Sequence, residues 1–347
     1  MPPRLPERSV MRPAMPLPRP RLLALTTLAA LASALLAMPA LATNAATNPA
    51  AKASATAPSA SPAAAPAAAP LRVLAAHPVV HGLAQQLLQG SGIELLRMAP
   101  ARLPANRLPA YLAGRGQDEL LAAAAQAQAA LTLRSIWPDD QLYPLARRAN
   151  IRIVEIDVAH PIEGDLPGVT LPARQGDATG HTAASVLNNP PWQDSANLAR
   201  MATLMADALA RLAPEAAPRL QANLAAIQQR LQQAEAQASR ALAQASDVSV
   251  LLLSPRMQAL ATALQLEAVP WQAPEKDDAL PKALAQALAR EKPRAVLAHA
   301  APDDAVAQAI AASGAQLVVL SESAPDPVAA LAEAMQAIAQ AMGASAH

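Results

Sequence analysis

The longest helical pattern in the chain runs from Trp192 to about Leu242. Asp194 or Ser195 can cap its start, because a side-chain oxygen there can accept a backbone N–H. Pro214 interrupts the pattern, and we therefore predict one long backbone helix over residues 192–245 with a kink at this proline. A helical hairpin or a coiled coil is the alternative interpretation. Apolar residues recur every three or four positions, as expected for one helix face: Leu198, Met201, Met205, Leu209, Leu212, Leu220, Leu224, Ile227 and Leu231.

Short apolar runs alternate with helical patterns on both sides of this stretch. Strand–helix alternation of this kind is typical of a mainly parallel sheet with helices on its faces. The fold class predicted is therefore α/β, with one βα lobe over residues 71–191, a second over residues 246–347, and the long kinked helix joining them. The predicted strands are Leu71–Ala76, Ile93–Met98, Ala129–Leu133, Ile151–Ile156, Val248–Leu253, Leu266–Val269, Arg294–His299 and Gln316–Leu320.

Two segments show neither the periodicity of a helix nor that of a strand. Residues 99–116 are punctuated by proline, and residues 160–191 contain Gly, Pro, Asn and Asp throughout, so both are predicted to be irregular loops. Aspartates before three later helical patterns predict N-caps, at Asp139 or Asp140, at Asp303 or Asp304, and at Asp326.

The amino-terminal residues have the pattern of a leader. A basic start precedes an apolar run over residues 22–36, and Ala40-Leu41-Ala42 is a small-residue cleavage site. We predict a signal peptide over residues 1–42, which implies export to the periplasm, and an uncleaved anchor is the alternative. Residues 43–70 are Ala, Pro, Ser and Thr with little to bury, and predict a disordered linker.

Charge and composition exclude several classes of function. The formal net charge is +1 with no basic cluster beyond the leader, which argues against nucleic-acid binding. The chain has no cysteine, so it offers neither a disulfide nor a lipid-attachment site. No nucleophile elbow, phosphate-binding glycine loop or zinc-protease motif is present. We expect neither an enzyme nor a catalytic cofactor.

Two facing lobes would place a binding site in the cleft between them, because ligands collect outside the carboxyl ends of parallel strands. The segments Val73–Pro78, Asn188–Ser195, Ala222-Asn223-Leu224 and Leu317–Pro327 carry a family resemblance. The chain resembles the zinc/manganese solute-binding proteins of bacterial ABC transporters from Leu71 to its end. The resemblance implies a monomer that captures a divalent metal, zinc or manganese, between its lobes and delivers it to an ABC permease in the inner membrane.

The chain departs from that family at all the positions where its metal ligands are expected. Asn106 replaces a histidine in the Pro-rich loop, and Pro190 replaces the histidine before the Trp192-Gln193-Asp194 motif. Pro255 follows Ser254 where a histidine or glutamate is expected, and Ser321 replaces an aspartate. Proline has no side-chain donor for zinc, which is bound by Cys, His, Asp or Glu.

The remaining candidate ligands follow predicted strands. His77 follows the first strand and His299 follows a strand of the second lobe, so the two would face each other across the cleft. With Asn106 and Glu322 they form the proposed metal set, although a histidine after a strand is also commonly structural. His81 lies one helical turn after His77 and could share its face.

The other histidines and Trp192 receive structural interpretations. His160 and His181 lie in the predicted loop and are expected to be solvated, and His347 is terminal. Trp192 is expected to pack in the core or at a hinge. The alternative function is a degenerate binding-protein fold that has lost metal binding and serves as a periplasmic interaction module.

Overall fold

The structure, a computed structural model, describes residues 70–161, 166–171, 183–274, 277–321 and 324–343. The predicted signal peptide and nearly all of the predicted linker lie outside the described residues, as do Glu322, His181 and His347. Within the described residues, no helix combines the length and hydropathy needed to cross a bilayer.

The described part of the first lobe contains a four-stranded parallel sheet in the order β2-β1-β3-β4. The central strands β1 and β3 are covered on both faces, and their residues are almost wholly apolar and buried. This is the pattern of a parallel strand between helical layers. The elements are β1 (Arg72–Ala75), α1 (Pro78–Leu87), β2 (Glu94–Arg97), α2 (Leu108–Ala113), α3 (Gln117–Ala124), β3 (Ala129–Thr132), α4 (Leu142–Ala149) and β4 (Val154–Asp157).

Helix α2 lies inside the proline-punctuated segment that was predicted to be a loop, so that prediction is wrong over these residues. Leu108 and Leu112 are buried four residues apart, and tertiary packing on this apolar pair stabilises a short helix whose sequence pattern is weak. Before α4, the carboxylate of Asp140 accepts hydrogen bonds from the backbone N–H groups of Leu133 and Leu142, both at 3.0 Å. Asp140 therefore supports the start of α4, as its position predicted.

Helix α5 (Ala183–Asn188) lies inside residues 160–191, which were predicted to be an irregular loop, so that prediction is wrong over these residues. The linking segment contains α6 (Ser195–Leu212) and α7 (Ala217–Leu242). Helix α6 begins as predicted, since Asp194 Oδ1 accepts the backbone N–H groups of Ala196 at 2.7 Å and Asn197 at 3.3 Å.

The predicted single kinked helix is instead a hairpin of two antiparallel helices. Ser195 Oγ donates to Glu235 at 3.1 Å and Gln228 Nε2 donates to Thr203 Oγ1 at 3.2 Å, a register that only antiparallel helices allow. The chain turns because Ala213 leaves the helical region, at φ −134° and ψ 76°, and Pro214 starts a short 3₁₀ turn. Folding back lets the apolar stripes of α6 and α7 bury each other.

The described residues of the second lobe form another four-stranded parallel sheet, in the order β6-β5-β7-β8. Its elements are β5 (Ser249–Leu252), α8 (Gln258–Ala263), β6 (Glu267–Ala268), α9 (Leu280–Glu291), β7 (Ala295–Ala298), α10 (Asp304–Ser313), β8 (Gln316–Val319) and α11 (Pro327–Gly343). Asp303 caps α10 through Val306, and Asp326 caps α11 through Ala329, so both caps are confirmed. The prediction of two parallel-sheet lobes with a long helix between them is also confirmed.

Helix α7, which is 26 residues long, connects the lobes physically. It packs on α1 of the first lobe and on α11 at the end of the second. One continuous apolar core runs from the first sheet through α6 and α7 to α11. A smaller apolar cluster lies between the second sheet and helices α9 and α10. The lobes are therefore joined by a shared core and not only by the covalent chain.

Candidate solute-binding cleft

A cavity of about 640 Å³ is lined by residues that follow strands of both sheets. His77 follows β1 and Asn106 follows β2 in the first lobe, whereas Arg256, His299 and Ser321 follow β5, β7 and β8 in the second. Because all these strands are parallel within their sheets, their carboxyl ends converge on the same opening. The cavity therefore occupies the position that the two-lobe topology predicts for a ligand.

His77 is buried, with 3 % of its surface exposed, at the start of α1. Its ring packs edge-on against Trp137, with centroids 5.5 Å apart, and against Trp192, with centroids 4.8 Å apart. Neither ring nitrogen has a hydrogen-bond partner among the described residues. Burial lowers the pKa of His77 to about 3, so the imidazole is neutral at pH 7.

His299 is partly buried at the end of β7. Burial, and secondly the positive charge of Arg256, lower the pKa of His299 from its ordinary value. The structure thus brings His77, His299 and Asn106 to one cavity, as the sequence predicted. Glu322, the other member of the predicted metal set, lies outside the described residues. The role of these residues as ligands stays a prediction.

His81 does not share the cavity with His77. It is not among the residues that line the cavity, and burial followed by the charge of Arg97 lowers the pKa of His81 to about 4. His160 is exposed, and its Nδ1 lies 2.9 Å from the carbonyl oxygen of Pro161. Neither position supports a metal pair with His77.

The Trp192-Gln193-Asp194 motif has a structural role in this chain. Trp192 is buried against His77 and also lines the cavity, in agreement with the packing interpretation. Asp194 is occupied as the cap of α6. Ser254, which precedes the expected ligand position at Pro255, accepts the backbone N–H of Arg256 at 3.3 Å and caps a 3₁₀ turn.

Sequence reasoning missed the arginines of the cleft. Arg102 and Arg107 flank Asn106 in the segment after β2, and Arg256 follows β5; all three line the cavity. The first two were assigned to an irregular loop, in which the direction of a side chain has no periodic signal. Within the described residues, no group of three or more His, Cys, Asp or Glu is placed to hold a metal ion.

Solved structures similar to this chain share its two-lobe fold. "Crystal structure of ZnuA" aligns with a TM-score of 0.56 at 19 % identity, over 78 % of this chain and 98 % of that one. The Mn²⁺ complex of FpvC from Pseudomonas aeruginosa aligns with a TM-score of 0.55 at 17 % identity, over 78 % and 98 % of the two chains. The Zn(II)-bound ZnuA-like domain of Streptococcus pneumoniae AdcA aligns with a TM-score of 0.55 at 14 % identity, over 79 % and 100 %.

These identities establish likeness of fold alone. No curated protein matches the chain in a sequence comparison. The family model described as "Zinc-uptake complex component A periplasmic" matches residues 125–344, which is more than half of the chain. The chain therefore belongs to the ZnuA family of periplasmic zinc-uptake components.

Proposed function

We propose that this protein is the periplasmic solute-binding component of an ABC importer, and not an enzyme. It captures its cargo in the cavity between the lobes and passes it to a permease of the inner membrane. The observation that supports this function best is the cavity itself, which is lined by the residues following strands of both sheets. A site shared by two lobes is accessible to a solute and can be closed by a small movement of either lobe.

Membership of the family implies a divalent metal as cargo, and zinc or manganese is the ion we propose. His77 and His299 are the proposed nitrogen ligands, because a neutral imidazole is a common metal ligand and both line the cavity. Asn106 and Glu322 are the proposed oxygen ligands. Among the similar structures, the AdcA domain is bound to Zn(II), and FpvC is in complex with Mn²⁺ or Ni²⁺.

Calorimetric titration of the purified chain with ZnCl₂ and MnCl₂ tests the metal part of this proposal. We expect saturable binding in the micromolar range or tighter, weakened at least tenfold by His299→Ala. His160→Ala is the matched control, because His160 is exposed and does not line the cavity. Absence of saturable binding by either ion would remove the bare metal from the proposal, and elemental analysis of protein taken from its native periplasm provides an independent measurement.

A second candidate is a binding-protein fold that has lost its metal and serves as an interaction module. The observation in its favour is that no metal-holding group of three or more acidic, histidine or cysteine side chains is found in the described part of the chain. Affinity purification from membranes distinguishes the candidates. An importer component is expected to recover an ABC permease, whereas an interaction module is expected to recover another periplasmic partner, with no solute bound.

A further inference from the structure

The described lining of the cavity is cationic. Arg102, Arg107 and Arg256 all contribute to it, and no aspartate or glutamate does so among the described residues. Arg102 and Arg107 are exposed, and neither has an ion-pair partner in the described part of the chain. Guanidinium groups remain charged at any physiological pH and bind carboxylate or phosphate with paired N–H donors. Their concentration at one opening favours an anion.

The size of the cavity supports the same conclusion. Its volume of about 640 Å³ falls within the range of about 300–1,000 Å³ that is usual for organic ligands. A dehydrated metal ion bound directly by protein side chains needs far less room, since one water molecule occupies only about 30 Å³. The space therefore fits a solute of several non-hydrogen atoms better than a bare ion.

The buried polar atoms at the first-lobe side of the cavity supply the independent observation. His77 has no hydrogen-bond partner for either nitrogen, and the indole Nε1–H of Trp192 has none, among the described residues. Both residues line the cavity and are more than nine-tenths buried. An indole N–H can only donate, and a neutral imidazole always carries one N–H, so each of these buried rings needs an acceptor oxygen that no described protein group supplies.

We propose that the cargo of this cleft is a small anionic solute with two or more oxyanion groups, carried either free or as the chelator of a divalent metal. The inference rests on the proposed solute-binding function and names its substrate class. Arg102 and Arg107 bind the oxyanion groups. In the chelated form the solute supplies the carboxylate ligands that the described cleft lacks.

The test is calorimetric titration of the full chain with sodium citrate, sodium pyrophosphate, ZnCl₂ and equimolar zinc citrate. We expect at least one oxyanion-containing titrant to bind, and its affinity to fall at least tenfold in the double variant Arg102→Gln/Arg107→Gln. The matched control is Arg148→Gln/Arg152→Gln, which removes the same charge from exposed residues that do not line the cavity. The control should bind like the wild type. A thermal melt verifies that both variants are folded.

Each pattern of results decides the inference. Binding of citrate or pyrophosphate in the absence of zinc supports a free anion. Binding of zinc citrate, with no binding of citrate in the absence of zinc, supports a metal chelate. Binding of ZnCl₂ alone, unchanged in the double variant, would overturn the anionic cargo while leaving the proposed importer function intact. If none of the titrants binds at millimolar concentration, the anionic cargo and the metal cargo are both overturned.

Discussion

Gly82 and Pro325 meet across the two lobes with no room for a side chain between them. A Cβ atom on Gly82 would lie 2.6 Å from the carbonyl oxygen of Pro325 and 2.7 Å from Cδ of Pro327. Gly82 lies in the interior of α1, whereas Pro325 precedes α11. Glycine therefore sets how closely the first lobe approaches the loop that follows the last strand of the second.

Replacing Gly82 with alanine is expected to destabilise the protein, although glycine to alanine inside a helix usually stabilises by about 0.5–1 kcal/mol. Overpacking against backbone costs about 1–3 kcal/mol, and Pro325 presents backbone at this point. The free energy of unfolding in urea measures the effect. Gly343→Ala is the control, since a Cβ there meets nothing within 4 Å, and a loss of stability in the control equal to that of Gly82→Ala would contradict the explanation.

Asp326 connects the same regions through a polar network. Its carboxylate caps α11 by accepting the Ala329 N–H at 2.7 Å, and it also accepts from Gln86 at 2.8 Å and pairs with Arg230 at 3.1 Å. The pair is partly exposed and is expected to contribute at most about 1 kcal/mol, whereas loss of a cap costs about 1 kcal/mol.

We therefore expect Asp326→Ala to reduce the free energy of unfolding by about 1–2 kcal/mol, and Asp326→Ser, which keeps a capping oxygen, to reduce it less. Asp303→Ala removes a cap without an ion pair and is the matched comparison. A double-mutant cycle with Arg230→Ala isolates the coupling of the pair. A coupling energy of zero would show that the network adds nothing to the cap.

Protonation of His77 is expected to make the protein less stable in acid. Burial holds the pKa of folded His77 at about 3, against 6.5 as the ordinary value. Between these values the unfolded chain binds a proton that the folded protein does not, so stability decreases as the pH falls from 6.5 towards 3. The contribution of one such group is at most about 1.4 kcal/mol per pH unit.

The variant His77→Phe keeps an aromatic ring between Trp137 and Trp192 and removes this titration. Its stability should therefore decline less steeply with falling pH than that of the wild type. Urea unfolding at several pH values between about 4 and 7 measures the two slopes. His81, whose pKa is also lowered, is retained in both proteins. Identical slopes for the two proteins would refute the assignment of this pH dependence to His77.

Asn223 holds the end of α1 against α7. Its Nδ2 donates to the carbonyl oxygens of Leu87 and Gln89, both at 2.8 Å, at the point where a helix leaves its last carbonyls unpaired. Asn223→Ala is expected to lower the free energy of unfolding by about 1–2 kcal/mol. Asn223→Asp should cost more, because it directs a carboxylate at two carbonyl oxygens. The exposed Gln229→Ala on the same helix is the control, and chemical denaturation measures all three.

The local elements were largely predictable because their signals are local. Strand β7 and the buried part of β1 after Arg72 are continuous apolar runs, and Asp194, Asp303 and Asp326 are caps that a short pattern identifies. Helix α2 was missed because its stability depends on burial of Leu108 and Leu112 and not on a long periodic pattern. Asn223 was noted only as part of a family resemblance, and its two contacts with α1 became visible in the structure.

The candidate site was predictable only in part. Parallel topology brings the residues after strands together, and for this reason His77 and His299 were correctly expected at one cleft. Arg102 and Arg107 were missed because the direction of side chains in an aperiodic segment depends on what packs around them. The packing of His77 against Trp137 and Trp192 could not be predicted either, because the three residues lie far apart in the chain.

By itself, the sequence determined the alternation of strands and helices, the two parallel-sheet lobes and the positions of several helix caps, because period, burial and capping depend on near neighbours. Only the tertiary structure decided that the long helical stretch turns back after Ala213 and that arginines converge on the cleft. The physical reason is that a proline permits a kink and a reversal alike. The choice between them is made by the apolar surface that α6 and α7 bury together, which no local pattern contains.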